Sequence, residues 1–392
     1  MSLVLFWTAV ASIIYSYLLF PVLVFLRGIF APRPHLEADV QPTVSIIVAA
    51  HDEAPVIGRK IESVLALDYP KECLELVVAS DGSRDGTNEI VAEYAQGTRP
   101  SEWLGSGGVR LLALPRVGKA AALNAAASAA EGEILVFSDA NSIFSPGSLR
   151  ALLRPFADPS VGGVAGNQCY VSDNGNAADT ATTTGNAGER LYWAFDRKLK
   201  VYESRAGNTI SATGALYALR RSLFHGIPDG VTDDFYNSVG VVAQGRRLVF
   251  APEAVVHEKV AATGRTEFQR KVRVMTRGLA AVAARRELLN PSRYGWYSWQ
   301  VLSHKVLRRL VIFPLLILAV VSPRLWRRGA LYKMATAGQA ALYGAAVTGS
   351  LIERRGTRVP RVLAFPYYFV LVNLASLIAA INLIRGRRIA RW

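Results

Sequence analysis

Apolar positions are unevenly spread along this chain. Leu3 to Leu26 carries no charged side chain, and about 20 apolar residues are enough for a helix to cross a bilayer. No basic stretch precedes the run, and it is long for the apolar core of a cleaved leader. A retained transmembrane helix over 1–30 is therefore expected. Three more apolar runs follow in the C-terminal third: Leu310–Val321, Ala330–Ile352 and Val362–Ile384. The last two are long enough to span. The first is short, with Pro314 inside it and Pro323 just after. It is either a span completed by its flanks or an interfacial or re-entrant segment. A membrane region with about two to three spans is expected over 308–392.

The middle of the chain has a different rhythm. Val44–Ala49, Leu74–Ala79, Val109–Leu114 and Ile134–Ser138 are short apolar runs of strand length. Between them lie helical patterns: one through Val56, Ile61, Val64 and Leu65, one through Ile90, Val91 and Tyr94, and an alanine-rich one over Lys119–Ala130. Strand–helix alternation predicts an α/β domain over 42–260 built on a parallel sheet with right-handed crossovers. Asn174–Gly188 and Gly107-Gly108 read as loops, the first as a candidate mobile one.

Charge sharpens the membrane reading. The chain has 392 residues, is 51% hydrophobic and carries a net charge of +15. Much of that charge borders the apolar runs, at Arg27 and Arg33, Arg308 and Arg309, Arg327 and Arg328, Arg354 and Arg355, and Arg385 to Arg391. This placement favours anionic lipid headgroups, so a lipid bilayer and no nucleic acid is the expected partner. Basic residues follow the first helix and none precedes it. By the positive-inside rule the central domain is cytoplasmic, in an integral protein of the plasma or inner membrane. The two cysteines, Cys73 and Cys169, have no metal-ligand spacing and imply neither a zinc site nor a disulfide scaffold.

Three predicted strands end in acids: Asp52/Glu53, Asp81 and Asp139. Parallel strands put their C-terminal ends on one edge, where open α/β sheets bind ligands. Asp139 with Asn141 two residues on suits a divalent metal carrying a diphosphate, since Mg2+ and Mn2+ take oxygen ligands. The competing reading is a strand-end Asp that caps a turn. No G-x-G-x-x-G follows the first strand and no P-loop occurs, which weighs against a dinucleotide-binding or P-loop domain.

Six segments occur in order: Val44-Ser-Ile-Ile-Val-Ala-Ala-His-Asp-Glu53, Ala79-Ser-Asp-Gly-Ser-Arg-Asp-Gly-Thr87, Arg116-Val-Gly-Lys-Ala-Ala-Ala-Leu-Asn124, Asp139-Ala-Asn141, Thr213-Gly-Ala215 and Thr232-Asp-Asp234. Together they resemble the membrane-embedded family 2 glycosyltransferases, the group of cellulose, hyaluronan, chitin and poly-N-acetylglucosamine synthases. The resemblance covers about 42–310 and the flanking helices. It implies a GT-A-type fold, Rossmann-like with a mostly parallel sheet, flanked by transmembrane and interfacial helices. It also implies a UDP-sugar donor, and an acceptor that is a growing polysaccharide or a lipid-linked sugar.

The resemblance assigns roles by position. Glu53 and Asp81 would bond the uracil or ribose, Lys119 would meet the diphosphate, Asp139 would reach the ribose or the metal, and Asn141 the metal. The commoner family pattern is Asp-x-Asp, so Asn141 brings a neutral ligand. Asp234 would be the general base of an inverting reaction, with Asp233 beside it. Thr213, Gly214 and Ala215 would line the acceptor site. Amphipathic interfacial helices are expected over 261–307, the first with Arg270, Lys271, Arg273 and Arg277 on its polar face. Gln269 to Arg273 is similar to the Gln-x-x-Arg-Trp element of processive relatives, but no Trp follows. Arg270 or Arg273 would contact the diphosphate. So few helices make a small channel unless the chain forms a homo-oligomer.

Overall fold

A computed structural model of the chain describes residues 1–97, 108–171, 187–259, 264–357 and 359–387, with side chains omitted at 187–193 and 264–267. The predicted Asn174–Gly188 loop, as far as residue 186, and Gly107 lie outside the described residues. The chain divides into two compact units, taken here in turn. One draws on Arg27–Thr182 and Lys200–Val260, the other on Met1–Leu26, Thr183–Leu199 and Ala261–Ile389.

The first unit is an α/β domain around one eight-stranded sheet. Its strands are β1 (Val44–Ala50), β2 (Leu74–Asp81), β3 (Val109–Leu114), β4 (Ile134–Phe137), β5 (Ile143–Phe144), β6 (Val161–Val171), β7 (Tyr217–Arg220) and β8 (Arg247–Lys259), in the order β3-β2-β1-β4-β7-β6-β8-β5. Strands β3, β2, β1 and β4 run parallel, as expected from their continuous apolar sequences, and β1 and β2 are buried along their whole length. Helix Ala54–Leu65 lays Ile57, Ile61 and Val64 against this half of the sheet, all fully buried. The α/β class and GT-A-type sheet are thus as expected.

The other half of the sheet departs from the parallel pattern. Strand β7 runs antiparallel to both β4 and β6, and β5 antiparallel to β8. The reversal matters for the site. Phe137 pairs with Tyr217, so the residues just before β7 lie beside the residues just after β4.

The second unit is helical. Helix Ser2–Phe30 is widened to a π-turn over Tyr15–Leu19, where the Phe20 N–H donates to the Tyr15 carbonyl. Pro21 follows at once; it lacks an N–H and its ring crowds the carbonyl four residues back, which accounts for the widening. Phe6 and Ala9 of this helix pack with Leu318, Val321 and Leu325. By length and composition Ser2–Phe30 and Arg361–Ile384 are able to cross a membrane, and Trp296–Leu307 with Ile312–Arg324, bent by 56°, makes a third if the pair is one span. Helix Ala330–Arg354, expected to span, is less apolar than these, diluted by Lys333, Thr336, Gln339 and Thr348. Helix Gly264–Ala284 packs along Arg361–Ile384, with Ser376 Oγ donating to Met275 Sδ at 2.9 Å and Asn382 Nδ2 to Thr276 Oγ1 at 3.3 Å.

Candidate active site

The C-terminal ends of β1, β2 and β4 gather the predicted residues of the α/β unit. At the end of β1 the chain turns sharply through Asp52, whose φ of 54° is unusual for a side-chain-bearing residue. Its carboxylate accepts from the Arg84 N–H at 2.8 Å, and its own N–H donates to Ser83 Oγ at 3.1 Å. The next two N–H groups, of Glu53 and Ala54, donate to Thr87 Oγ1 and Asp85 Oδ2, both at 2.9 Å. The β1 turn is therefore fastened to the loop that follows β2. Burial, then the charges of Asp139 and Asp85, raise the Glu53 carboxyl above its ordinary range, which puts Glu53 in the field of the same site.

Asp81 is bonded by its own chain. It is fully buried and accepts from Arg116 Nη1 at 2.9 Å and from the Val117 and Gly118 N–H groups at 2.6 and 2.9 Å. Gly118, at φ 93°, then starts the helix Lys119–Ala129. Asp81 thus anchors the loop that delivers Lys119.

Lys119 is the centre of the cluster. Its Nζ lies 2.7 Å from Asp139 Oδ1 and 3.3 Å from Asp233 Oδ2. Burial works against the ammonium, but the carboxylates of Asp139, Asp233 and Asp234 outweigh it and hold Lys119 well above its usual range. Asp233 and Asp234 form the first turn of helix Asp233–Ala243, where negative charge meets the positive end of the helix dipole. Beneath them Tyr217 stacks on Phe137, 4.9 Å between centroids, and accepts a bond from Asn237 Nδ2 at 3.0 Å.

Gly214 closes over Asp139. A Cβ at 214 would stand 2.9 Å from Asp139 Oδ2, so only glycine allows the backbone this near the carboxylate. Thr213 and Thr232 each bury a hydroxyl oxygen that finds no partner among the described residues. They stand next in sequence to two residues of the cluster, Gly214 and Asp233.

A divalent metal is tested by the donor set. Asp139 is 34% exposed despite its ion pair, and Asn141 is exposed on the turn after it. Both offer hard oxygen atoms, but between them a single negative charge. No group of three or more His, Cys, Asp or Glu able to hold a metal occurs among the described residues. The residues fit a metal that takes much of its coordination from a diphosphate, as Mg2+ and Mn2+ commonly do. His257, near the end of β8, has its Nε2 3.1 Å from Ser145 Oγ, and strand alternation sends it to the face opposite Glu258. Arg270 and Arg273 lie on helix Gly264–Ala284 of the helical unit.

Two buried groups escaped the sequence reading. Lys60 is fully buried behind the Asp139 turn, and Glu258, 8% exposed, lies near it. Each sits in an apolar rhythm: Lys60 between Ile57, Ile61 and Val64, Glu258 after Ala254 and Val256. A charge at a core position was the available signal.

Residues 45–227 match the model of glycosyl transferase family 2. Among curated relatives, an N-acetylglucosaminyltransferase of Rhizobium meliloti is 27% identical over 231 residues, covering 55% of this chain and 50% of the relative. A beta-monoglucosyldiacylglycerol synthase of Nostoc sp. is 32% identical over 142 residues, covering 36% of this chain and 29% of the relative. The chain spans about half the length of the curated relatives it matches, or less. A mannosyltransferase of Pyrobaculum calidifontis, solved with GDP-Man and Mn2+, superposes over 98% of this chain and 100% of its own with a TM-score of 0.70 at 23% identity, a likeness of fold. The family match and the curated relatives, on a domain of this fold, support a family 2 glycosyltransferase.

Proposed function

We propose that the chain is an inverting glycosyltransferase that moves a sugar from a nucleotide-diphosphate donor, a UDP-sugar, to an acceptor at the cytoplasmic face of a membrane. The observation that carries this reading is Lys119 between Asp139 and Asp233, with Asp234 alongside and Gly214 against the carboxylate. Lys119 is a cation held where a donor's diphosphate would lie, at the carboxyl edge of the sheet. Asp234 accepts the proton of the acceptor hydroxyl as its oxygen bonds to the anomeric carbon. The bond from that carbon to the diphosphate oxygen breaks on the opposite side, and its electron pair leaves with the diphosphate. Asp233 is engaged by Lys119, and Asp234, which accepts the Phe235 N–H at 2.7 Å, is assigned the base role. Lys119 offsets charge on the leaving group. When bound by Asp139 and Asn141, Mg2+ or Mn2+ would supply further neutralisation of the diphosphate. Thr213, Gly214 and Ala215 line the acceptor side of the cluster, with Gly214 against the Asp139 carboxylate.

The acceptor is a growing polysaccharide. A single transfer to a lipid-linked acceptor is the second reading, favoured by the missing Trp after Gln269–Arg273. The test is release of nucleoside diphosphate from a panel of UDP-sugars and GDP-mannose, with and without Mn2+ or Mg2+, followed by product sizing. Turnover by Asp234→Asn near the wild-type rate would sink the base assignment, and turnover indifferent to metal would sink the role of Asn141.

A further inference from the structure

Lys60 has no place in the chemistry above, yet it is a charged side chain with no exposed surface. An ammonium is tolerated there only if its hydrogen-bonding capacity is met. Its Nζ donates to Ser138 Oγ at 2.6 Å and to the Ser142 carbonyl, and lies 4.1 Å from the Phe144 ring centroid. Ser138 and Ser142 are the residues immediately before Asp139 and after Asn141, so one ammonium grips both ends of the Asp139–Asn141 turn. The grip extends further. Ser138 Oγ donates to the Ala215 carbonyl at 2.6 Å, and Ser142 Oγ donates to Glu258, which also accepts from Gln168 Nε2 at 2.6 Å. Lys60 is thus the hub of a buried polar network joining the Asp139 turn, the Thr213–Ala215 segment and β8.

The network is not needed to pack the helix. Ile57, Ile61 and Val64 already supply its apolar stripe, and an apolar residue at 60 would continue it. The two hydrogen-bond acceptors of its ammonium instead flank the Asp139–Asn141 turn. We propose that Lys60 is a positioning residue: through Ser138 and Ser142 it fixes the Asp139–Asn141 turn against Gly214, and so sets the affinity for the metal–diphosphate pair. This rests on the glycosyltransferase reading.

The test uses the full chain in detergent and follows Mn2+ by electron paramagnetic resonance in the presence of UDP, beside the melting temperature and the donor KM. Lys60→Met keeps the side-chain length and removes the grip. It should weaken Mn2+ binding by about tenfold or more, the usual cost of losing a group that orients a ligand. Ser138→Ala should give a smaller loss of the same kind. Ile57→Val, on the same stripe, should lower the melting temperature without moving Mn2+ affinity. Folded Lys60→Met with wild-type Mn2+ affinity overturns the proposal. If Lys60→Met does not fold, Ser138→Ala decides on the same readout, and wild-type affinity there overturns it. Wild-type protein that binds Mn2+ with no nucleotide and releases none overturns the functional reading, and this inference with it.

Discussion

Replacing Gly214 with alanine separates activity from stability. The added Cβ would sit 2.9 Å from Asp139 Oδ2, half an ångström short of the 3.4 Å at which ordinary contact begins. The backbone is poorly placed to yield, because the next carbonyl, of Ala215, is bonded to buried Ser138. The carboxylate must turn instead, and turning Oδ2 away pulls Oδ1 from Lys119, now at 2.7 Å. Crowding of this size costs about 1 kcal/mol of stability, the low end for overpacking. Gly214 lacks the left-handed φ that alanine resists, so the stiffer unfolded chain returns about 0.4–1 kcal/mol. The melting temperature should barely move. Turnover should fall, because a misplacement of about 1 Å in a catalytic constellation can cost about a hundredfold. Half that displacement predicts roughly a tenfold loss, about 1.4 kcal/mol in barrier. The assay is nucleoside diphosphate release paired with thermal melting. Wild-type turnover in Gly214→Ala, or a loss that merely tracks unfolding, would refute the reasoning.

Three more outcomes are expected. Lys119→Met leaves Asp139 and Asp233 facing each other without their shared cation, so donor affinity should drop by about a hundredfold, measured by calorimetry with UDP in the presence of Mn2+. Asp81→Asn removes a buried carboxylate that accepts from Arg116, Val117 and Gly118; about 3 kcal/mol of stability should go, read as a lower denaturant midpoint. Burial pushes the Lys60 ammonium down to about 7, against the opposing pull of Asp139 and Glu258. Between pH 7 and its ordinary 10.5 the unfolded chain therefore binds more protons than the folded one, so stability should rise with pH across that window, and Lys60→Met should flatten the rise in a pH series of melts.

Much of the first half of the domain is readable because parallel, doubly covered strands are written as unbroken apolar runs, as in Val44–Ala50 and Ile134–Phe137. Strand β6 is hidden by its glycines, which β-propensity counts against. Gly162 and Gly166 are there because Leu223 and Leu216 come so close that a Cβ would stand 2.5–2.6 Å from them. That demand is made by residues far along the chain, and no local pattern carries it. At the site, the strand-end acids announce themselves by position. The contacts of Asp81 within the chain do not, since which N–H groups a buried carboxylate meets depends on how the Arg116–Gly118 loop folds back over it. Lys60 and Glu258 were legible in principle, as charges standing where the rhythm calls for Ile or Val.

Lys119 is an ammonium already spoken for by two carboxylates, and on the proposed function this would make donor binding an ion exchange. A free cation approaching Asp139 competes with a built-in one, and a free diphosphate approaching Lys119 competes with two built-in anions. Either newcomer alone must displace a satisfied partner. Arriving together, each takes up the group the other releases, and the charge of the cleft stays balanced throughout. Metal and nucleotide should accordingly bind with strong mutual reinforcement, each nearly indifferent to the protein without the other.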